Sequence, residues 1–467
     1  MKYISTRGTA PELTFKQALI TGLADDGGLY IPAIWPTFTK DEISSFRGKP
    51  YVDVAFEVIS RFVAGDIPDA ALKDMIAEAY GTFHHPAVTP LVQMGDNVWQ
   101  LELFHGPTLA FKDVAMQILS RLMDYVLQEN NETLTIVGAT SGDTGGAALS
   151  AFSGRDNIDI FFMFPENRVS TVQQRQMTTL SSENTHPIAI DGNFDDCQNM
   201  VKAMFEHRKF RDNVRLSAVN SINWGRIMAQ TVYYFTAGTS LGAPERAVSF
   251  TVPTGNFGDI YAGYVAKKMG LPIDRLVIAT NENDILYRAL TRGRYEMQGV
   301  RPTMTPSMDI QISSNFERLL YDATGQDTDA VRAMMESLQK TGSYDLSDKV
   351  LEFIKSEFDV GMTTEPETIK TINSVYEKCG YLMDPHSAVA LNVAEKNSSP
   401  ESPMVSLATA HASKFPATVQ EASGVYPALP EWTGSLMEDK ESFTVLKNNQ
   451  SEVEAFIVTK MRAAQVG

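Results

Sequence analysis

Lys112 is the residue of this sequence whose surroundings best suit covalent chemistry. It follows Phe111, and behind it apolar residues recur at the spacing of a helix: Val114, Ile118, Leu122 and Val126. A helix is therefore expected to begin close to Lys112, with Pro107 in a rigid turn before it. In partly apolar surroundings a lysine amine is neutral, and the neutral amine attacks an aldehyde. Taken alone, a lysine near a helix start is usually a surface residue, and the local context favours a reactive lysine only a little.

A glycine-rich loop follows a predicted buried strand at residues 133–137 and leads into a helical run. It reads Gly138-Ala139-Thr140-Ser141-Gly142-Asp143-Thr144-Gly145-Gly146. Hydroxyl groups at Thr140, Ser141 and Thr144, beside free backbone N–H groups at a helix start, suit a carboxylate or a phosphate. The loop has neither the Walker spacing nor the dinucleotide-binding spacing. A turn whose glycines serve backbone geometry alone is the alternative.

A second loop of this kind follows a predicted strand at residues 247–252. It reads Gly255-Asn256-Phe257-Gly258-Asp259 and opens a helix at residues 260–269. Glycines let the backbone approach an oxyanion, and a helix N-terminus adds a favourable partial positive charge. Two such loops and one reactive lysine indicate a phosphorylated cofactor and an anionic substrate.

Two further segments place polar side chains after predicted strands. The first is Asn220-Ser221-Ile222-Asn223-Trp224-Gly225-Arg226, in which Arg226 offers a planar set of donors for phosphate or carboxylate. A capped helix start with a surface arginine is the alternative. The second is Thr409-Ala410-His411, at the end of a late strand, where ligands collect in α/β sheets.

The elements that must position these residues alternate between short β-rich runs and helices, which predicts α/β layers with mainly parallel strands. The predicted fold has two doubly wound domains around a cofactor cleft. Its parts are an N-terminal lobe at 1–95, a smaller α/β domain at 96–235 and a larger one at 236–467, with a helical insertion near 295–380. The smaller domain would carry the lysine and the first loop, and the larger domain the second loop.

Composition excludes several classes of function. The 467 residues carry 40 basic and 57 acidic side chains, a formal charge of −17, which argues against nucleic acid or an anionic membrane as a partner. Cys197 and Cys379 have no metal-binding spacing, nor do the histidines, so no metal site is predicted. No secretory signal or membrane span is recognised, and a cytoplasmic protein is expected.

Taken in order, these segments resemble the pyridoxal-phosphate enzymes of the tryptophan-synthase-β fold type, and among them the threonine synthases. The resemblance extends to Tyr3-Ile4-Ser5-Thr6-Arg7-Gly8, Gly27-Gly28-Leu29-Tyr30-Ile31-Pro32, Met308-Asp309-Ile310, Ser314-Asn315-Phe316-Glu317-Arg318 and Asp384-Pro385-His386-Ser387-Ala388-Val389-Ala390. It therefore spans nearly the whole chain.

The resemblance implies a role for each candidate residue. Lys112 would bind pyridoxal 5′-phosphate as an imine, residues 255–259 would hold its phosphate, and Thr409 would face the pyridine nitrogen. Thr140, Ser141 and Thr144 would bind the substrate α-carboxylate. The substrate phosphate would lie with Asn220, Ser221 and Arg226, with Asn256 nearby.

Asp143 departs from the pattern of many relatives of this fold type, which have asparagine beside the 3′ oxygen of the cofactor. A carboxylate against a phenolate is unfavourable unless a proton is shared or a donor intervenes. The resemblance nevertheless implies a cofactor contact for Asp143, because the longer threonine synthases are also acidic here.

The implied activity is that of a lyase acting on phosphates, which converts O-phospho-L-homoserine and water to L-threonine and phosphate. A monomer or a homodimer is expected. The alternatives are another dehydratase or β-replacement enzyme of the same fold, a non-catalytic homologue that binds ligand without turnover, and, more remotely, a nicotinamide dehydrogenase, whose fingerprint is missing.

Overall fold

The structure is a computed structural model that describes residues 1–180 and 182–462. Contacts group the chain into two compact units. Unit 1 consists of Met1–Ala77, His85–His105 and Ser221–Pro427, and unit 2 of Glu78–His84, Gly106–Asn220 and the segment from Ala428 onward. The last five residues of the predicted larger domain lie outside the described residues.

The strands have the following bounds: β1 Tyr3–Ser5, β2 Tyr30–Pro32, β3 Leu91–Gly95, β4 Val98–Glu102, β5 Leu134–Ala139, β6 Ile158–Pro165, β7 Thr185–Asp191, β8 Leu216–Ser217, β9 Val248–Pro253, β10 Ile273–Thr280, β11 Arg294–Glu296, β12 Ser343–Asp345, β13 Phe358–Met362, β14 Met404–Ala408 and β15 Thr444–Lys447.

The helices have the following bounds: α1 Phe15–Thr21, α2 Lys40–Ser44, α3 Tyr51–Val63, α4 Asp69–Tyr80, α5 Lys112–Asn130, α6 Asp143–Phe152, α7 Thr171–Thr178, α8 Phe194–Glu206, α9 Arg208–Val214, α10 Trp224–Ser240, α11 Gly258–Lys268, α12 Ile285–Arg292, α13 Phe316–Ala323, α14 Thr328–Thr341, α15 Asp348–Glu357, α16 Glu365–Cys379, α17 Pro385–Asn397, α18 Pro416–Ser423 and α19 Gln450–Lys460.

Unit 1 is built on a six-stranded sheet in the order β13-β10-β9-β14-β4-β3. Every neighbouring pair is parallel except β3 and β4, which are antiparallel. Because β9 and β14 are parallel neighbours, their carboxyl ends lie at one edge of the sheet. Loop 255–259 and Thr409 therefore both emerge at this edge, where open α/β sheets bind ligands.

Unit 2 is built on a five-stranded, fully parallel sheet in the order β15-β7-β6-β5-β8. All eight residues of the central strand β6 are buried, as the apolar run from Ile160 to Pro165 favours in a sheet covered on both faces. One face packs on α8 and α19 through Cys197, Met200, Met204, Val453 and Ile457. The carboxyl end of β5 leads directly into the glycine-rich loop 138–146.

The two units differ from the predicted three-part division. Residues 1–77 group with unit 1, because Tyr3 and Phe62 pack against Trp224 with ring centroids 6.0 and 5.6 Å apart. The segment from Ala428 groups with unit 2, because β15 pairs with β7. Within the region 295–380 short strands accompany the helices α13 to α16, since β11 and β12 form an antiparallel pair and β13 joins the main sheet of unit 1.

Within residues 1–180 and 182–462, no helix combines the length and the apolar composition that crossing a bilayer would require.

Candidate active site

Lys112 is the first residue of α5 and is buried, with 7% of its surface exposed. Its Nζ lies 3.5 Å from Oδ2 of Asp143 and 4.9 Å from the centroid of the Phe111 ring. Gln173 donates a hydrogen bond of 2.9 Å to the other carboxylate oxygen of Asp143. The helix prediction for this segment is confirmed, and the lysine lies in an apolar setting with one carboxylate beside it.

The turn before Lys112 is fixed by Asp113, which is fully buried. Its carboxylate accepts hydrogen bonds of 2.7 Å from both the backbone N–H and the hydroxyl of Thr108. A Cβ on Gly106 would lie 2.6 Å from the Asp113 side chain, so glycine is needed for this close approach. The position of Lys112 is therefore set by its neighbour in sequence.

The hydroxyl groups of loop 138–146 have different environments. Thr140 is buried, and its Oγ1 accepts hydrogen bonds of 2.9 Å from the N–H groups of Gly142 and Gly145. Its O–H proton remains available to an anion, but the residue also shapes the loop. Ser141 is exposed and Thr144 half-buried, so both hydroxyls are accessible at the start of α6.

The carbonyl groups of loop 255–259 are bonded to the protein. Ser313 Oγ donates to the carbonyl of Gly255 at 2.6 Å, and Asn315 donates through its backbone N–H and its side chain to the carbonyl of Asn256 at 3.1 and 3.0 Å. The N–H groups of residues 255–258 have no acceptor among the described residues. Phe257 has a φ of +63°, which turns the chain into α11. The loop thus presents donors, as an oxyanion site requires.

The side chain of Asp259, a residue expected to bind the cofactor, forms hydrogen bonds with two tyrosines of unit 1. Its Oδ1 accepts hydrogen bonds from the hydroxyls of Tyr233 and Tyr234 at 2.5 and 3.0 Å, inside unit 1. Burial raises the pKa of this carboxyl to about 6, although both hydrogen bonds act in the opposite direction. A contact of Asp259 with an anion at the loop would therefore involve its backbone N–H.

Arg226 lies in the first turn of α10, and only 5% of its surface is exposed. Its Nε lacks a hydrogen-bond partner, and no carboxylate of the described residues forms an ion pair with the guanidinium. Burial lowers the pKa of Arg226 to about 10, so the side chain still carries its charge near neutral pH. A buried, charged arginine without an anion is costly, which indicates that a ligand supplies the anion.

The other residues predicted near the substrate phosphate are less buried. Asn220 is exposed and belongs to unit 2, whereas Ser221 is half-buried in unit 1, where its carbonyl accepts from Asn315 at 3.1 Å. Asn223, from the same motif, is a structural residue, because it caps α10 and donates to the carbonyl of Leu19.

Thr409 follows β14 and is buried, and its N–H donates to Oγ of Ser387 at 3.2 Å. The nearby histidines bond to the protein. His105 contacts Glu102 at 2.7 Å, and His411 contacts Ser413 at 2.7 Å. Burial lowers the pKa of His411 to about 4, so this ring is neutral near pH 7.

Sequence reasoning assigned no role to Gln173, Ser313, Asn315 or Asp384. Asn315 and Asp384 lie in quoted motifs, and an Asp-Pro pair before an apolar run is a signature of a helix N-terminus. Gln173 and Ser313 left no comparable signal, because each reaches its partner only through the tertiary fold.

Comparison with known families matches three consecutive regions. Residues 2–80 match "Threonine synthase N terminus", residues 83–344 match "Pyridoxal-phosphate dependent enzyme", and residues 387–457 match "Threonine synthase, C-terminal". The threonine synthase of Pseudomonas aeruginosa is 52% identical over 459 residues, which is 98% of each chain.

Solved structures match equally closely. The crystal structure of threonine synthase from Brucella melitensis with bound pyridoxal phosphate is 61% identical, with a TM-score of 0.98 over 99% of this chain and 100% of that one. The yeast threonine synthase structure is 39% identical, with a TM-score of 0.94 over 98% of both chains. The likeness covers the whole molecule.

Proposed function

This chain belongs to the threonine synthase family of pyridoxal-phosphate enzymes, and we propose that it converts O-phospho-L-homoserine and water to L-threonine and phosphate. The reaction releases the γ-phosphate of the substrate and adds a hydroxyl group at Cβ. It therefore needs a site for the substrate phosphate that is distinct from the site for the cofactor phosphate.

The observation that carries this proposal is the buried guanidinium of Arg226, for which the described residues provide no carboxylate. A phosphate dianion matches the fork of N–H donors on arginine, and the pairing is strong where water is excluded. A dehydratase or a β-replacement enzyme acting on an unphosphorylated amino acid would have no use for this second anion site.

The residues present fit pyridoxal phosphate. Unit 2 offers the buried amine of Lys112, and unit 1 offers the unbonded N–H groups of loop 255–258 at the start of α11. We assign the first to the cofactor aldehyde, the second to its phosphate, and Thr409 to its pyridine nitrogen. A hydroxyl there moderates the electron demand of the ring, since it does not force full protonation.

The bound cofactor supplies an electron sink for negative charge at the substrate Cα. Lys112 would hold the cofactor through its amine, and the free amine would remove the proton at Cα and hand it on before it takes one at Cβ. Thr140, Ser141 and Thr144 would fix the α-carboxylate, and Arg226, with Asn220, Ser221 and Asn256, the phosphate. With both ends held, the amine reaches two neighbouring carbons without the substrate moving.

Replacement of Arg226 tests the proposal. Arg226→Ala is expected to lower kcat/KM for O-phospho-L-homoserine about 100-fold, since a buried, charge-assisted contact is lost. The ratio of the affinities of this variant for O-phospho-L-homoserine and for L-homoserine should fall in parallel. The visible absorbance of the bound cofactor should stay unchanged. Phosphate release and ligand titration measure these quantities.

Arg275→Ala is the matched control, because this arginine of unit 1 has 48% of its side chain exposed. It should leave every parameter within twofold of the parent. If Arg226→Ala instead loses the cofactor and keeps its preference for the phosphorylated ligand, the substrate phosphate binds elsewhere.

A cytoplasmic location and a monomeric or homodimeric state complete the proposal. The two cysteines support a reducing compartment, since neither Cys197 nor Cys379 forms a disulfide.

A further inference from the structure

The start of α17 carries a carboxylate with more hydrogen bonds than a helix cap needs. Asp384, which is fully buried, accepts from the N–H groups of His386 and Ser387 at 2.9 and 3.2 Å, the usual contacts of an N-cap residue. It also accepts from Nδ1 of His386 at 2.8 Å and from the hydroxyl of Ser387. The two additional donors are side chains whose remaining contacts lead away from the helix.

His386 connects Asp384 to the segment that covers loop 255–259. Its Nε2 accepts from the backbone N–H of Ser307 at 3.3 Å, so the hydrogen on Nδ1 faces the carboxylate of Asp384. The carbonyl of Ser307 packs on Gly255, where an added Cβ would lie only 2.8 Å away. The ring thus holds the backbone that lies against the first residue of the loop.

Ser387 connects the same carboxylate to Thr409. Its hydroxyl donates to Asp384 and accepts from the N–H of Thr409 at 3.2 Å. Both residues are buried, with 1% and 7% of their surface exposed. Since Thr409 directly follows β14, this contact fixes where the residue leaves the sheet.

We propose that Asp384, His386 and Ser387 are positioning residues for the cofactor. Through His386, the carboxylate of Asp384 holds the backbone of Ser307 against the phosphate loop. Through Ser387, the same carboxylate positions Thr409, which we assign to the ring nitrogen. The inference rests on the proposed function, which assigns loop 255–258 and Thr409 to the cofactor. None of the three residues needs to touch the cofactor or the substrate.

Asp384→Asn separates this role from simple helix capping, because asparagine caps helices as well as aspartate does. The amide nitrogen cannot accept a hydrogen bond, so the contact with His386 or Ser387 is lost. We expect little change in the melting temperature of the apoprotein and about a tenfold increase in the dissociation constant of pyridoxal phosphate. The matched control is Asp327→Asn, which alters the exposed cap of α14 and should change neither.

Variants at the other two positions separate the two ends of the cofactor. His386→Leu should reduce the preference for pyridoxal phosphate over pyridoxal, and His386→Gln, which keeps an acceptor near Ser307, should restore it. Ser387→Ala should keep that preference and shift the pH dependence of the visible absorbance, and Ser387→Thr should restore the parent profile.

Reductive labelling of Lys112 with the cofactor in the parent protein distinguishes a failure of the proposed function from a failure of the positioning role. No label on Lys112 would overturn the proposed function, and this inference with it. A labelled parent whose Asp384→Asn, His386→Leu and Ser387→Ala variants keep the cofactor affinity and spectrum of the parent would overturn this inference alone. The same holds if the variants lose cofactor only in proportion to a lower melting temperature of the apoprotein.

Discussion

At the scale of single residues, burial decides which charged groups are available for chemistry. Lys112, Arg226 and Asp259 are all buried. The carboxylate of Asp259 accepts hydrogen bonds from the hydroxyls of Tyr233 and Tyr234. Lys112 has a carboxylate 3.5 Å away, whereas none of the carboxylates in residues 1–180 and 182–462 forms an ion pair with Arg226. This difference separates the carboxyl of Asp259 from the amine and the guanidinium to which we assign chemistry and anion binding, although all three residues lie in similar sequence contexts beside helix starts.

Reduction of the holoprotein with borohydride is expected to fix the cofactor on Lys112. Mass mapping should find one labelled peptide, which contains residue 112. Lys414 is the internal control, since it is also buried but lies in unit 1. A label on Lys414, or on no lysine of the cofactor-saturated protein, would refute the assignment.

Asp259→Asn is expected to stabilise the protein at pH 8. The folded carboxyl has a pKa of about 6, above the ordinary value near 4, so the folded state binds its proton more tightly than the unfolded state. The stability that this carboxyl contributes is fully present below about pH 4 and is lost as the pH rises through 6. Asparagine avoids this loss, worth at most about 3 kcal/mol.

Thermal unfolding at pH 8 and pH 4 measures the difference, which should vanish at the lower pH. Asp212→Asn changes an exposed carboxylate and should have no effect at either pH. A lower melting temperature of Asp259→Asn at pH 8 would mean that the ionised carboxylate is the stable form in the fold.

At the scale of elements, hydrophobic spacing and glycine positions predicted the strands and helices around the candidate site. The helix beginning at Lys112, the strand β5 and the helix after loop 255–259 all follow from hydrophobic spacing and glycine position. The direction of the Asp259 side chain does not, because it depends on two tyrosines of α10 that are remote in sequence. The strand that precedes Asn220 is only two residues long, Leu216–Ser217, since only Thr135 and Ile136 of β5 pair with it.

Two adjacent glycines of α6 provide a test of the loop that it follows. A Cβ at Gly145 would lie 2.4 Å from Thr140 and 2.8 Å from Met177, whereas the nearest side-chain atom to one at Gly146 is 3.6 Å away. Gly145→Ala should therefore displace Thr140 and raise the KM for substrate about tenfold. Gly146→Ala should leave KM unchanged and stabilise the helix by up to about 1 kcal/mol.

Steady-state kinetics and thermal unfolding of both variants measure these effects. Equal KM values for the two variants would show that the geometry of the 140–145 turn does not contribute to substrate binding.

At the scale of the whole molecule, the division into units was the least predictable feature. The residue pattern of β15 can predict a strand but cannot predict its partner, because the parallel strand β7 lies about 250 residues earlier in the chain. Likewise, the packing of Trp224 against Tyr3 depends on contacts across more than 200 residues. The sequence thus supports the fold class and most elements, and long-range contacts decide which unit each terminal segment joins.

Two buried histidines are expected to lower the stability of the protein as the pH falls from about 6.5 to 4, and to outweigh the opposite effect of the buried carboxyl of Asp259. Burial lowers the pKa of His186, which stacks on Phe161 at 4.5 Å, to about 4, and that of His411 to the same value. Between about pH 6.5 and 4 these two histidines bind protons in the unfolded chain but not in the folded chain. The free energy of unfolding therefore decreases as the pH is lowered through this range. His186→Gln should make unfolding less sensitive to pH there, as measured by urea titration at pH 7 and 5.

An unchanged pH dependence for His186→Gln would assign the acid sensitivity to other groups.

The pairing of β15 with β7 has a consequence for biosynthesis. A ribosome synthesises every residue of unit 1, up to Pro427, before it makes the edge strand of the unit that carries Lys112. The sheet beneath the lysine is therefore completed last, although the lysine itself is made early. A nascent chain thus acquires loop 255–259 and Arg226 while the sheet of the unit that carries Lys112 still lacks an edge strand.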